Sequence, residues 1–162
     1  MIPLQRMWTL LRKFLSLPGE RKLQLLHCWL LLWGVRGALL VLPSQALLAW
    51  AKRSLRPDRI SSPEERRTEG RKLAAMVAQC SRAVPGARCL ARALTLQVLL
   101  GHRGHPCDLH IGVARSPREG FTSHAWIVLD GEVVLGGTGA PLAYRSILVS
   151  ASRRTQASIQ GS

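Results

Sequence analysis

The sequence predicts an α+β fold in which N-terminal helices precede a helix packed on an antiparallel sheet. Apolar residues recur with helical spacing up to about residue 101 and then occur in extended, β-rich runs. The pair Asp130-Gly131 separates two such runs, which is typical of a two-residue hairpin turn. At 162 residues the chain has the length of one domain, usually about 100–200 residues.

Composition and charge exclude several classes of protein. Apolar residues make up 47% of the chain and charged residues 20%, which excludes wholesale disorder, a collagen-like chain and a disulfide knot. The net charge of +14 attracts nucleic acid, anionic lipid or an acidic peptide about equally well, and an Arg-rich coding bias is an equally good explanation of it. The charge therefore leaves the partner open.

The cysteines and the N-terminus indicate a reducing compartment. The 4 cysteines are irregularly spaced and form no CxxC pair, so neither a disulfide framework nor a ribbon-type zinc site is expected. Basic residues interrupt the first apolar stretch, and no small-residue cleavage site follows it. We therefore expect a cytoplasmic protein.

Residues 1–55 form a predicted helical segment. One helix is expected from 18 or 20 to 42 and a second over 44–53, with Pro43 as the break and Ser44 as the cap. Arg36 divides the most apolar stretch into two uncharged runs, each shorter than the ~20 residues that a spanning helix needs. The helices are therefore expected to pack on the protein or on a partner, or to rest on a membrane surface.

Residues 56–66 collect proline, serine and charges and are predicted to be a connector. Ser62 then opens a helix as its cap, followed by proline and two acids, and this helix should end near Ala83. The next helix begins between 87 and 89 and ends at Gly101 or Gly104. Its surface is apolar nearly all round, which predicts a central, buried helix.

Three strands are predicted after this helix, over 108–115, 121–130 and 132–137. The second strand is apolar on both faces, as a central strand is. Together with the two preceding helices they form a predicted catalytic core over 67–140. Residues 141–162 are polar and Ser-rich and are predicted to be a loosely attached tail.

A cysteine at the start of the central helix and a histidine on the central strand are the candidate catalytic pair. A helix N-terminus carries partial positive charge and favours a thiolate at Cys89, and Arg88 and Arg92 add to that field. His124, if it lies near Cys89, can pair with the thiolate and act as general acid for a leaving amine. The residues alone leave open a second interpretation, an inert buried cysteine near a core histidine.

The order of motifs resembles a known family. The chain reads CLARALTLQVLLGHRGHPCDLHIGV and then FTSHAWIVLDGEVVLGG. This order, over residues 88–137, resembles the transglutaminase-like cysteine peptidase that removes the leader in lasso peptide biosynthesis. The resemblance implies a transglutaminase-like, papain-related core, with Cys89 as the nucleophile and His124 as its partner.

The third catalytic group is left open by the sequence. The resemblance implies an Asp about twelve residues beyond the histidine, where this chain has Gly136. Asp130 is an acid nearby, but a hairpin turn there puts it about 20 Å along the strand from His124, at ~3.3 Å per residue. Asp130 is therefore either the third member or, as we favour, a turn residue.

The same hairpin predicts what lies beside the histidine. A regular register from the turn pairs His124 with Gly137 and places Gly136 beside it. Either the actual register differs from this one, or a backbone carbonyl or Thr138 holds the imidazole. Without such a group, the chain would be catalytically weakened.

Two further features have both a functional and a purely structural interpretation. Gln79 can donate to an oxyanion alongside the N–H of Cys89, or it is a plain surface residue. Four metal-compatible residues cluster near the end of the central helix, but their spacing fits neither a helical pair nor a zinc finger, so we expect no metal site. They are His102, His105, Cys107 and His110.

The resemblance implies a reaction and its partners. The enzyme would cut the leader from a ribosomally made precursor peptide, and a separate ATP-dependent cyclase would then close the macrolactam. Longer family members carry a leader-binding domain, so a separate leader-recognition protein is expected here. No cofactor is implied, and nucleotide dependence through the partner enzymes is left open. The alternative is a non-catalytic basic module for nucleic acid or anionic membrane; nucleic acid is disfavoured because aromatic residues are few.

Overall fold

The computed structural model describes residues 18–54, 56, 61–116, 120–137 and 145–150. Within these ranges four helices precede four strands, and the strands form one antiparallel sheet. The helices are α1 (Gly19–Val41), α2 (Ser44–Arg53), α3 (Pro63–Ser81) and α4 (Cys89–His102). The strands are β1 (Asp108–Ser116), β2 (Gly120–Leu129), β3 (Glu132–Leu135) and β4 (Arg145–Ser150), in the sheet order β3-β2-β1-β4. The predicted α+β class is confirmed.

Helices α1 and α2 lie where the sequence predicts them, but the cap between them differs. Pro43, in extended conformation with φ −63° and ψ 140°, is the N-cap of α2. Ser44 is already helical, and no side chain caps the helix, so the prediction of Ser44 as the cap was wrong. The fixed φ of proline and its missing N–H make it suitable for a helix start without a side-chain acceptor.

Helix α3 begins with the predicted cap. The N–H of Glu65 donates to Ser62 Oγ over 3.2 Å, and the N–H of Ser62 donates to Glu65 Oε2 over 3.1 Å. This reciprocal pair satisfies two N–H groups that the first turn would otherwise leave without partners. Gly70 then allows α3 to lie close to the sheet, since a Cβ there would be only 2.5 Å from Leu129 Cδ2.

Helix α4 is the centre of the core, as predicted. Residues 93–101 are buried without interruption, and α4 packs on both β1 and β2. Even its polar Thr95 is buried, and the hydroxyl donates to the Ala91 carbonyl over 2.8 Å. The position of Cys89 at the first residue of this rigid helix is therefore set by the packing of the core.

The β2–β3 hairpin has the predicted turn but a different register. Asp130 and Gly131 both have positive φ, 47° and 81°, as a type I′ turn requires. Val128 pairs with Val133, whereas Ile127 pairs with Leu135, so a bulge shifts the register by one residue at Val134. The predicted pairing of His124 with Gly137 is therefore wrong. The bulge lets the consecutive residues 134 and 135 both contact the core, which an alternating strand does not allow.

Part of the predicted tail belongs to the sheet. Residues 145–150 form β4, which pairs with β1 through positions such as Val113↔Arg145 and Leu109↔Ser150. The prediction of a loosely attached segment from residue 141 was wrong for these residues. The strand is short, and its apolar residues 147–149 form a single patch in an otherwise polar stretch, so the composition of the stretch hid it.

A charged cluster joins α3 to the segment after α4. Glu69 Oε2 lies 2.6 Å from Nε2 of His105, whose side chain is 2% exposed, and Glu69 Oε1 accepts from Arg103. Burial acts to raise the pKa of Glu69, but the hydrogen bonds from His105 and Arg103 outweigh it, so this pKa lies below its ordinary value.

The Glu69→Gln variant is expected to lower the free energy of unfolding at neutral pH by about 1–3 kcal/mol, since the charge-assisted bonds are lost. Because the pKa is depressed in the folded state, the stabilisation is present above the ordinary Glu pKa of about 4.3 and is lost as the pH falls through the folded value. Urea unfolding at pH 7 and at pH 3 measures this: the difference between wild type and variant should shrink at pH 3. An unchanged difference would contradict it.

Candidate active site

Cys89 is the first residue of α4 and lies against β2. Its Sγ is 4.0 Å from the carbonyl oxygen of Ser123, the residue directly before His124. Cys89 therefore lies against the middle of β2, at the residue next to His124 in the chain. The side chain of Cys89 is half-buried and packs at the border of the core.

The other three cysteines lie in settings that do not suit a nucleophile. Cys28, Cys80 and Cys107 are all buried. A hydrogen bond with Cys80 and burial raise the pKa of the Cys28 thiol, and burial raises that of Cys107. The hydrogen bond with Cys28 lowers the pKa of the Cys80 thiol, although burial acts to raise it. A buried sulfur is out of reach of a substrate, so Cys89, which is half-buried, is the cysteine placed for reaction.

Positive side chains surround the start of α4. Arg88 is the N-cap residue, and Arg92 follows Cys89 by one turn. A third, Arg36 of α1, packs its guanidinium on Gly86, where a Cβ would lie 2.8 Å from Nη2. Gly86 also has φ +73°, so glycine suits this position on both counts. Sequence reasoning missed Arg36, whose role depends on how α1 packs.

His124 is held by a backbone carbonyl. Its Nε2 lies 2.9 Å from the carbonyl oxygen of Gly136. A carbonyl can only accept, so Nε2 carries the proton and donates it, and in the neutral ring Nδ1 is the nitrogen that can take up another. Gly136 lies at the position where the resemblance implied an acid, twelve residues beyond the histidine, and its main chain supplies the acceptor.

The backbone at Gly136 explains why no side chain occupies this position. Its φ is +105°, and a Cβ would lie 2.5 Å from Cβ of Trp126 and 3.2 Å from the carbonyl oxygen of Ala125. An Asp here would need both a strained φ and displacement of β2. The close approach of the Gly136 backbone to β2 after the bulge is therefore the common cause of two features. It brings the carbonyl to His124, and it leaves no room for an acidic side chain.

Trp126 supports the histidine from one side. The rings of His124 and Trp126 are stacked with centroids 6.4 Å apart, and His110 stacks on Trp126 at 5.5 Å. Trp126 is buried, with 2% exposure. This stack limits the orientations open to the His124 ring, which is what a positioned general base requires.

Asp130 is engaged elsewhere. Both of its carboxylate oxygens accept from Arg66 of α3, each over 2.8 Å, and the Arg66 side chain is 6% exposed. The carboxylate thus stabilises the hairpin tip against α3. Arg66 was not foreseen, because nothing in its sequence surroundings distinguishes it from the other arginines of this helix.

The three histidines among the four metal-compatible residues near the end of α4 contact different partners, and Cys107 is buried. His105 contacts Glu69, His110 stacks on Trp126, and His102 stacks on His27 with centroids 6.4 Å apart. Among the described residues, no group of three or more potential ligands could hold a metal ion.

A cleft of about 360 Å³ runs between α3 and β3. Small side chains of α3 form one wall, and β3, the edge strand, forms the other. Gly136, whose carbonyl oxygen lies 2.9 Å from His124 Nε2, is one of the residues that line this cleft. The lining residues are Arg71, Ala74, Ala75, Ala78, Val133, Val134, Leu135, Gly136 and Gly137.

Two further candidates remain predictions. Gln79 is exposed in the last turn of α3, on the helix that leads to Cys89, and its oxyanion role has no contact that tests it. Thr138 lies outside the described residues. The Gly136 carbonyl is the acceptor seen on His124 Nε2.

Comparison with protein families identifies the domain. The sequence profile of the transglutaminase-like superfamily matches residues 29–149. The chain belongs to the transglutaminase-like superfamily. No curated protein and no solved structure gives a match.

The matched range includes elements that the sequence alone had placed outside the core. The transglutaminase-like domain begins within α1 and ends within β4. It therefore contains all four helices, at least in part, and the whole sheet. The superfamily has a cysteine peptidase-type fold. Cys89 at the start of α4 and His124 on β2 lie on the helix and the strand that the sequence predicts for them.

Proposed function

We propose that this transglutaminase-like protein is a cysteine peptidase that removes the leader from a lasso precursor peptide. The observation that carries the proposal is the position of Cys89 at the start of α4, against the carbonyl of Ser123, the residue before His124, whose Nε2 donates to the Gly136 carbonyl. The lasso substrate rests on the resemblance of residues 88–137.

The arrangement supports a two-step acyl transfer. Cys89 gives its thiol proton to His124 Nδ1, and the thiolate attacks the carbonyl carbon of the scissile peptide bond. The tetrahedral intermediate collapses as His124 gives the proton to the leaving amine, the new N-terminus of the core peptide. Water then attacks the thioester, and His124 takes its proton, which releases the leader with a free carboxylate.

The cleft between α3 and β3 supports an extended peptide as substrate. In the described part of the chain, only β2 pairs with β3, so the outer edge of β3 offers backbone N–H and C=O groups. The opposite wall carries Ala74, Ala75 and Ala78, which leave room for a peptide backbone. A peptide lying here would contact Gly136, the residue whose carbonyl accepts from His124.

The partners follow from the same proposal. The precursor peptide would be delivered by a separate leader-recognition protein, and an ATP-dependent cyclase would use the released amine. We propose that these proteins act in the cytoplasm.

Cleavage of the precursor, followed by intact mass in the presence of the leader-recognition protein, tests the function. Wild type is expected to cut at one bond, whereas Cys89→Ala and His124→Ala lose at least about 10³-fold in rate. Ser123→Ala is the matched control, since it is exposed, adjacent to both residues and keeps the carbonyl; it should retain activity.

A second readout needs no substrate. Iodoacetamide should alkylate one cysteine of the native protein, Cys89, because the other three are buried. His124→Ala should slow this alkylation. Cleavage that survives Cys89→Ala, or absence of cleavage by a folded wild type with every partner present, would contradict the proposal and favour a binding role.

A further inference from the structure

The large apolar side chains that are exposed in the described residues all lie in one region. They occur on α1, on α2 and at the junction between them. Among the residues whose side chains are described, no other helix or strand contributes one. They are Leu23, Leu26, Trp29, Leu30, Trp33, Leu40, Val41, Leu42 and Trp50, which are between 37% and 83% exposed.

Most of these side chains share one face of α1, which we call the outer face. Leu23, Leu26, Leu30 and Trp33 follow the spacing of three and four residues that aligns side chains along a helix. Trp29 and Trp33 contact each other edge to face, with centroids 6.1 Å apart. The inner face, which contains Leu32, packs on α3 and α4. Soluble monomers rarely expose a continuous apolar surface of this kind.

The charges around the outer face are almost all positive. Residues 19–56 contain six basic side chains and one acid, Glu20. Arg21 and Lys22 lie at the N-terminal end of α1, and Lys52 and Arg53 in the last turn of α2. The whole chain is also basic, at +14.

We propose that the outer face of α1 binds the surface of an anionic phospholipid membrane, with the helix axis parallel to it. Leucines and tryptophans would enter the headgroup and acyl boundary, and the flanking basic residues would meet lipid phosphates. The charge complementarity favours anionic lipid over a protein partner, because the five basic residues of this segment other than Arg36, which packs on Gly86, outnumber its one acid and match any anionic bilayer without a specific complementary surface.

Helix α1 lies on the membrane in this proposal and does not cross it. By length and composition α1 is long and apolar enough to span a bilayer. However, its inner face, with Cys28, Leu32 and Val35, is buried against the rest of the domain. A spanning position would remove these contacts and carry Arg36 away from Gly86. This inference does not depend on the peptidase activity.

Binding to vesicles tests the proposal with the full chain. The probes are vesicles of phosphatidylcholine with phosphatidylglycerol at 3:1, and vesicles of phosphatidylcholine alone. Co-sedimentation should show binding to the mixed vesicles, at least about tenfold weaker binding without anionic lipid, and loss of binding in high salt. Tryptophan fluorescence should shift to shorter wavelength on binding.

The matched variants are Leu26→Glu with Leu30→Glu and, as control, Lys72→Glu. Both change the net charge by the same amount, and Lys72 is exposed on α3, away from the outer face. Circular dichroism should show both folded. The double variant should bind mixed vesicles at least about tenfold more weakly than the control.

Three results would overturn the proposal. The first is equal loss of binding in both variants, which would assign the effect to net charge alone. The second is binding that ignores anionic lipid. The third is no binding by wild type, in particular if size-exclusion chromatography shows this face buried in a dimer or against the leader-recognition protein.

Discussion

Replacing Gly136 with alanine should lower the free energy of unfolding by about 2–4 kcal/mol and reduce peptide cleavage at least about 10²-fold. The added Cβ would lie 2.5 Å from Cβ of Trp126, and φ of +105° is strained for any side chain. Either β3 moves away or β2 distorts, and in both cases His124 loses the carbonyl that holds Nε2. Thermal unfolding and the cleavage assay measure the two effects.

Gly137→Ala is the matched control for this prediction. Gly137 also has a positive φ of +85°, but nothing lies within 4 Å of a Cβ there. It should cost only about 1 kcal/mol of backbone strain and retain most of the activity. If Gly136→Ala folded and cleaved like Gly137→Ala, the carbonyl would not be positioning His124.

Gly136→Asp extends the prediction to the acid that the resemblance implied. The carboxylate should not restore or raise activity, since the backbone cannot accept its Cβ. A neutral carbonyl stabilises an imidazolium less than a carboxylate does, so the proposed peptidase is expected to turn over slowly. A Gly136→Asp variant faster than wild type would contradict the structural account of this position.

The second large effect is expected at the hairpin tip. Asp130→Asn should lower the free energy of unfolding by about 2–4 kcal/mol, because it leaves the buried guanidinium of Arg66 without its carboxylate. Where the variant is folded, kcat should stay within a few-fold of wild type, since Asp130 contacts Arg66 through both oxygens. Urea unfolding and cleavage below the unfolding temperature separate the two readouts.

The neighbouring ion pair supplies the control. Arg71 and Glu132 also join α3 to β3, at 3.0 Å, but their side chains are 57% and 34% exposed. Glu132→Gln should therefore cost less than about 1 kcal/mol. A large fall in kcat for Asp130→Asn with unchanged stability would instead make Asp130 the third catalytic residue.

Local sequence was sufficient to predict the elements whose ends are set by neighbouring residues. The cap at Ser62, the break at Pro43 and the Asp130-Gly131 turn act within a few residues, so α3, α2 and the hairpin could be predicted with their approximate bounds. The proposal that Cys89 and His124 act as a pair came from the order of motifs.

Contacts between distant segments could not be predicted in the same way. The bulge at Val134 depends on two consecutive side chains finding space in the core, and β4 depends on a free edge of β1. Arg66 and Arg36 are ordinary helix arginines until packing places them on Asp130 and Gly86.

The sequence by itself determined the helices, the hairpin turn and the two residues proposed for catalysis, because capping, periodicity and turn chemistry are local. Only the tertiary structure decided what holds His124. The acid expected at position 136 is replaced by a main-chain carbonyl, and that acceptor is invisible in a sequence because every residue has one. Its position depends on the register of two strands and on the space beside Trp126.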